Sequence, residues 1–147
     1  MGKFEFLGEW PVEAKAAVEP SLADLEWLVP AWCDSVSIRW SPISDTGDES
    51  SSATCHMAYE YRWARIDIHP CFLSDPPKDR RSGLIHELLH VFIGPLSQYA
   101  EEMADRLIKD DAPKFHATVR EELRVRNESA VQDLAHAIFG RERSEAA

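Results

Sequence analysis

The stretch GLIHELLHVFIG (residues 83–94) decides how the rest of the chain is interpreted. Between its two glycines the polar side chains are His86, Glu87 and His90, and the other seven residues are apolar. In a helix, residues four apart lie on one face, so His86 and His90 are neighbours and Glu87 lies beside both. Because apolar side chains surround the rest of this helix, we expect it to be buried. An unpartnered polar group in such a helix costs roughly 2–7 kcal/mol.

A divalent metal ion would satisfy all three polar side chains. Their spacing is the HExxH pattern, in which two histidines on one helical face bind zinc and the glutamate acts as general base. His86 and His90 are therefore the predicted zinc ligands, and Glu87 is the predicted base. The alternative interpretation is a pair of core histidines that hydrogen bond to backbone groups or carboxylates.

A zinc site of this kind needs a third protein ligand. The metzincin extension would require glycine and histidine at the positions of Ile93 and Leu96, so that class is excluded. A carboxylate from a later segment remains, with these candidates: Glu101, Glu102, Asp105, Glu121, Glu122 and Glu128. Helical periodicity keeps Glu128 and Glu121, which lie on nearly the same line of the last helix. We favour Glu128 because it is nearer the most apolar part of that helix, where an unpaired carboxylate is costly.

Composition limits the class of protein. The chain has 147 residues, of which 44% are hydrophobic, and this suits one domain over residues 1–147. A net charge of −10 disfavours nucleic acid as a partner. We expect no membrane span and no signal peptide, and therefore a cytoplasmic location. Three widely spaced cysteines argue against both a zinc ribbon and a disulfide framework.

Strand patterns fill most of the first half of the chain and helix patterns fill the second, which predicts an α+β fold. We predict strands at residues 3–7 and 35–40, and a hairpin over residues 54–70 that turns near residues 60–62. A polar loop is expected at residues 41–53. Helices are predicted at residues 20–32, with Ser21 as cap and Pro30 as terminator, and from about Asp79 to Gly94-Pro95. Two more are predicted at residues 97–111 and 111–140.

The segments LIHELLHVF (residues 84–92) and NESAVQDLAHAI (residues 127–138) together resemble small gluzincin-type zinc metallopeptidases, including compact single-domain proteins of phages and prophages. The resemblance implies a minimal zincin-like domain, in which a small antiparallel or mixed sheet packs on the HExxH helix and a long C-terminal helix. It implies that His86, His90 and Glu128 bind Zn²⁺. It also implies that Glu87 is the general base for a zinc-activated water that hydrolyses a peptide bond. The strand ARIDIHP (residues 64–70) would be the edge that pairs with an extended peptide or protein substrate.

Two questions stay open at the level of sequence. The group that steadies the tetrahedral oxyanion is not assigned, and Tyr99, His116 and Tyr59 are candidates. The function is also open between peptide hydrolysis and a non-catalytic zincin-like module that serves a structural or interaction role in a phage or prophage. Hydrolysis of another amide, such as cell-wall peptide, would use the same ligands.

Overall fold

A mixed sheet of four strands forms the centre of the α+β fold. The computed structural model describes residues 2–43 and 50–145, and the side chains up to residue 141. The strand order is β1-β2-β4-β3; β1, β2 and β4 are parallel, and β3 is antiparallel to β4. The strands are β1 (Phe4–Leu7), β2 (Val36–Trp40), β3 (Ala53–Ala58) and β4 (Trp63–Ile68). The helices are α1 (Val12–Leu22), α2 (Cys71–Ser74), α3 (Pro77–Ile108) and α4 (Pro113–Glu145).

One face of the sheet carries the core. Alternate residues of a strand point to the same face, and on this face β2 and β4 present apolar side chains that are fully buried. These side chains are Val36, Ile38, Ala64, Ile66 and Ile68. Helices α1 and α3 cover them, and α3 also packs on β3 and along α4. Helix α3 therefore lies between the sheet and α4.

The predicted strands and hairpin are confirmed, but the predicted edge strand is wrong. The hairpin forms as β3 and β4, joined by a 3₁₀ turn at Tyr59–Tyr61. Residues 64–70 do not lie at an edge, because β4 is hydrogen bonded to β2 on one side and β3 on the other. Three fully buried apolar residues suit β4 to this interior place, whereas every residue of β3 keeps partial exposure. The strands at the two edges are β1 and β3, and β3 is the one beside β4.

The prediction of a helix over residues 20–32 is largely wrong. Helix α1 lies earlier, at Val12–Leu22, where Ala14, Val18 and Leu22 recur at a spacing of four and are buried. Pro20 belongs to the last turn of α1, and the Ser21 hydroxyl donates to the Ala17 carbonyl rather than capping a helix. Only a 3₁₀ turn at Glu26–Leu28 follows.

The expected helix break at Gly94-Pro95 does not occur. Helix α3 continues to Ile108, so the two helices predicted at residues 79–94 and 97–111 are one. A side chain at residue 94 would meet Met57, since an ideal Cβ there would lie 1.8 Å from the Met57 Sδ atom. Gly94 therefore allows β3 to approach the helix closely and does not end it. Pro95 lacks an N–H group for the helix, but contacts with α4 continue past it at Ser97.

Helices α3 and α4 form an antiparallel hairpin connected by residues 109–112. Helix α4 continues beyond its predicted end at Gly140 as far as Glu145. Most apolar side chains of α3 that we expected to be buried are buried, but Ile93 is only partly buried and Phe92 is 53% exposed. Residues 44–49 of the predicted polar loop fall outside the described residues. No helix in the described parts of the chain is long and apolar enough to cross a membrane.

Candidate metal centre

Three of the predicted site residues meet between α3 and α4. The Nε2 atoms of His86 and His90 are 3.1 Å apart. The two carboxylate oxygens of Glu128 lie 3.5 Å from Nε2 of His86 and 3.4 Å from Nε2 of His90. The two imidazoles are mostly buried, and Glu128 remains about half exposed. Each residue thus offers one donor atom to the same point, so the three could hold a metal ion.

The donor spacing fits a small tetrahedral cation. Zinc binds imidazole nitrogens and carboxylate oxygens at roughly 2.0–2.2 Å, so neighbouring ligand atoms of a tetrahedron lie roughly 3.3–3.6 Å apart. Here the two Nε2 atoms are 3.1 Å apart, Nε2 of His86 lies 3.5 Å from one oxygen of Glu128, and Nε2 of His90 lies 3.4 Å from the other oxygen. Three ligands on one side of a tetrahedron leave the fourth position for water or substrate. The arrangement fits zinc without requiring the side chains to move far.

The electrostatics of the centre also suit a cation. Burial lowers the pKa of His90, although the Glu128 carboxylate acts in the opposite direction, and the neutral imidazole is the form that binds metals. Burial and then the Glu128 carboxylate raise the pKa of Glu87 to about 8, while a hydrogen bond with the Cys55 backbone lowers it. Two carboxyl groups this close repel each other when both are ionised, and a divalent cation between them removes that repulsion.

His86, His90 and Glu128, which we call the metal centre because they could hold an ion, lie in a cleft of about 770 Å³. Helix α3 forms the floor of the cleft with His86, Glu87 and His90, β3 forms one wall, and Asn127 and Glu128 of α4 form the other. The cleft therefore leaves space for a ligand beside these side chains, as a catalytic site requires and a closed structural site does not.

The free edge of β3 runs along this cleft. The His69 N–H donates to the Ser52 carbonyl, so the backbone of residue 52 faces β4. Backbone groups alternate in direction along an antiparallel strand, and those of Ala53, Cys55 and Met57 therefore point away from β4. The side chains of the same residues pack against the core beside α3. Among the described residues no further strand pairs with this edge, although the Cys55 backbone hydrogen bonds with Glu87, so the other outward backbone groups of β3 lie open beside the metal centre.

The other carboxylates considered as third ligands lie elsewhere. Glu121 pairs with Arg124 at 2.7 Å and is exposed. Its pKa is lowered by that hydrogen bond. Glu101 faces the cleft, but Arg120 of α4 binds it at 2.8 Å. Asp105 accepts hydrogen bonds from His116 and Arg120 further along the hairpin.

None of the candidates for the oxyanion donor lines the cleft. Tyr99 is 61% exposed on α3, and Tyr59 is 46% exposed in the turn before β4. The Nε2 atom of His116 lies 2.6 Å from an oxygen of Asp105, and that contact ties α4 to α3. The structure therefore does not support any of these three residues as the oxyanion donor.

Several polar residues that line the cleft were not predicted from the sequence, among them Ser97, Gln98 and Asn127. Asn127 and Ser97 face each other across α4 and α3, and Gln98 joins α3 to the β3–β4 turn through Glu60 and the backbone N–H of Tyr59. Asn127 precedes Glu128 directly, and that position was its only signal. Ser97 and Gln98 were hidden because the HExxH helix was expected to end before them.

Comparisons of the chain with models of protein families, with curated proteins and with solved structures found no match. The geometry of the site must therefore carry the functional argument.

Proposed function

We propose that the chain is a zinc-dependent metallopeptidase with His86, His90 and Glu128 as ligands and Glu87 as general base. The observation that carries this proposal is the convergence of one donor atom from each residue within 4.8 Å of one another, with the two imidazole Nε2 atoms 3.1 Å apart and each 3.4–3.5 Å from an oxygen of Glu128. A mixed sheet with an antiparallel edge strand, packed on the HExxH helix and a long C-terminal helix, supports a minimal zincin-like domain.

The chemistry divides between the ion and Glu87. Zinc in this position would polarise the scissile carbonyl and lower the pKa of a water molecule towards about 7. Glu87 takes the proton of the attacking water and passes it to the leaving amine. Its carboxyl group is held in place by the Cys55 backbone and lies close enough to Glu128 to sense its charge. A purely structural zinc site has no use for such a base.

The free edge of β3 supports a peptide as the substrate. An extended peptide can add to this edge as a further strand, since the backbone of alternate β3 residues points away from β4. Strand addition would place the peptide along the cleft, between β3 and the metal centre. The main-chain hydrogen bonds give affinity for any extended sequence, and the cleft side chains give preference among sequences.

The decisive experiment is Glu87→Gln in protein loaded with one equivalent of zinc. We expect the variant to bind zinc as the wild type does and kcat to fall by about 100-fold to 10,000-fold, because the general base is lost. Zinc content is measured by elemental analysis, and turnover is measured on a random decapeptide library. If Glu87→Gln cleaves as fast as the wild type, the proposed mechanism is wrong.

A second function is a non-catalytic zincin-like module with a structural or interaction role. The observation that favours it is the absence of Tyr59, Tyr99 and His116 from the lining of the cleft, which leaves no assigned oxyanion donor among them. This alternative predicts that the zinc-loaded wild type binds the metal yet cleaves no library peptide at any enzyme concentration tested.

A further inference from the structure

The Ser97–Asn127 pair lies in the same cleft, on the wall opposite β3. The Ser97 hydroxyl donates to Oδ1 of Asn127 at 2.9 Å, and both residues line the cleft. Asn127 is adjacent to Glu128 on α4, so it is fixed by the same helix that supplies the carboxylate of the metal centre.

This hydrogen bond leaves the donor half of the Asn127 amide available. A side-chain amide has one oxygen acceptor and two N–H donors. Ser97 occupies the oxygen, and within residues 2–43 and 50–141 no acceptor partners the Nδ2 atom. Nδ2 is not among the buried unpartnered polar atoms of the described residues, so it is accessible from the cleft. The amide therefore presents N–H groups to whatever fills the cleft.

The pair lies a defined distance from the metal centre. Ser97 follows His90 by seven residues, which is about 10 Å along a helix axis. β3 runs beside α3 in the same direction, because the Cys55 backbone meets Glu87, Met57 meets Gly94 and the chain then reaches Gln98. An extended chain advances about 3.3 Å per residue, so a peptide along β3 passes the pair about three residues from the metal centre.

A peptide strand in this cleft has a second edge that β3 cannot satisfy. Alternate residues of the strand direct their backbone groups towards β3, and the intervening residues direct theirs towards α4. A carbonyl left without a partner there would weaken binding. We infer that Asn127 Nδ2 donates a hydrogen bond to a main-chain carbonyl of the substrate two or three residues from the scissile bond. Ser97 is a positioning residue that orients the amide.

This inference rests on the proposed function and specifies its substrate: an extended peptide that continues for at least two or three residues past the scissile bond on the Asn127 side. Shorter peptides lose this contact and are poorer substrates. The preference depends on length and backbone, not on the side chain at that position, because a main-chain carbonyl is the group recognised.

The test compares wild type with Asn127→Ala on the decapeptide that the wild type cuts fastest, and on versions shortened one residue at a time from either end. We expect kcat/KM for the full peptide to fall about threefold to tenfold, the range of one hydrogen bond, mainly through KM. The two proteins should become equal once truncation from one end removes the contacted residue. Asn127→Asp, which replaces the donor with an acceptor, should be worse than Asn127→Ala. Gln132→Ala removes an exposed amide of α4 that is bonded to His136 and serves as the matched control.

Binding provides a second measurement that needs no turnover. In the Glu87→Gln background, the decapeptide that is retained most strongly from the same library should bind threefold to tenfold less tightly when Asn127→Ala is added. An equal loss at every peptide length, no loss at all, or a loss of zinc affinity in Asn127→Ala overturns the inference while the metallopeptidase proposal stands. A library from which no peptide is cut or retained overturns both.

Discussion

The metal centre and the outer face of the sheet each gather buried or half-buried charged groups, but they satisfy these groups in different ways. On the outer face, Asp67 is fully buried and accepts hydrogen bonds from the guanidinium groups of Arg39 and Arg65 at 2.6–3.1 Å. We call these three residues the outer cluster. In the metal centre, His86 and His90 face a carboxylate, with the carboxyl group of Glu87 close by.

This difference explains why the metal centre is suited to binding an ion and the outer cluster is not. In the outer cluster the four acceptor sites of a carboxylate meet paired N–H donors of planar guanidiniums, so the hydrogen bonding of the buried acid is satisfied within the protein. In the metal centre, imidazole nitrogens and carboxylate oxygens direct lone pairs towards one point. These side chains have too few N–H donors to satisfy all of those lone pairs with hydrogen bonds to one another. The first arrangement stabilises the fold, and the second favours a cation.

The largest expected effect comes from breaking the outer cluster with Asp67→Ala. Loss of the buried acid removes one bidentate interaction with each of two partly exposed guanidiniums, and at about 1.5–3 kcal/mol for each charge-assisted interaction the loss is about 3–5 kcal/mol. We expect the free energy of unfolding to fall by that amount in urea denaturation. The matched control is Asp34→Ala, because its ion pair with Arg62 is exposed to solvent and should contribute little to stability.

A loss below about 1 kcal/mol in Asp67→Ala would mean that the outer cluster stabilises the fold no more than a surface ion pair does. The contrast between the two clusters would then rest on the metal centre alone.

The second effect, expected to be smaller in free energy, concerns metal affinity. Glu128→Ala removes one of the three proposed ligands. Loss of a residue that only orients a ligand lowers metal affinity by about 10-fold to 100-fold, so we expect loss of a ligand to lower zinc affinity by about 100-fold. That change corresponds to about 2.7 kcal/mol. Glu121→Ala is the matched control, since it lies two turns away on the same helix and pairs with Arg124. Competition with a chelator of known affinity measures both.

The metal-free proteins sharpen the same comparison. If the metal centre does not hold the fold together by itself, metal-free Glu128→Ala should unfold at the same urea concentration as metal-free wild type. Full zinc affinity in Glu128→Ala, or equal losses in both variants, would show that Glu128 is not the third ligand.

The two clusters were not equally visible in the sequence. His86 and His90 are one turn apart on one helix, so local periodicity was enough to bring them together. Strands β2, β3 and β4 were also recognisable, because their alternating apolar residues are a local signal. The outer cluster was missed, since it joins side chains of β2 and β4 that are neighbours only once the strand order is known.

Local sequence patterns could not by themselves decide whether Glu128 or Glu121 lies near the two histidines. Both residues lie on one line of α4, and the register of α4 along α3 determines which of them is near the histidines. Arg120 contacts Glu101 and Asn127 contacts Ser97, and this register brings Glu128 to the histidines. That register follows from the short connection at residues 109–112 only if α3 is continuous. The Gly94-Pro95 pair predicts a helix end from local signals, and the contacts of α3 with Met57 and α4 override it.

The smallest expected effect concerns the contact between β3 and α3, since β3 lies between the outer cluster and the metal centre. β3 directs His56 towards Asp67 of the outer cluster and Met57 towards Gly94 of α3. Replacement of a helical glycine by alanine normally adds about 0.5–1 kcal/mol of stability. Gly83→Ala should show this gain, because nothing lies within 4 Å of its Cβ position.

Gly94→Ala should lose that gain, because its Cβ would lie 1.8 Å from Met57 Sδ and 2.4 Å from Met57 Cε. Both atoms are at the end of a flexible side chain, so Met57 can rotate away, and we expect a net change within about 1 kcal/mol of wild type. Adding Met57→Ala to each alanine variant tests the cause: coupling between residues 57 and 94 should be measurable, and coupling between residues 57 and 83 should be absent. If Gly94→Ala is stabilised as much as Gly83→Ala, then β3 does not press on α3 at this point, and the wall of the cleft is free to move relative to the metal centre.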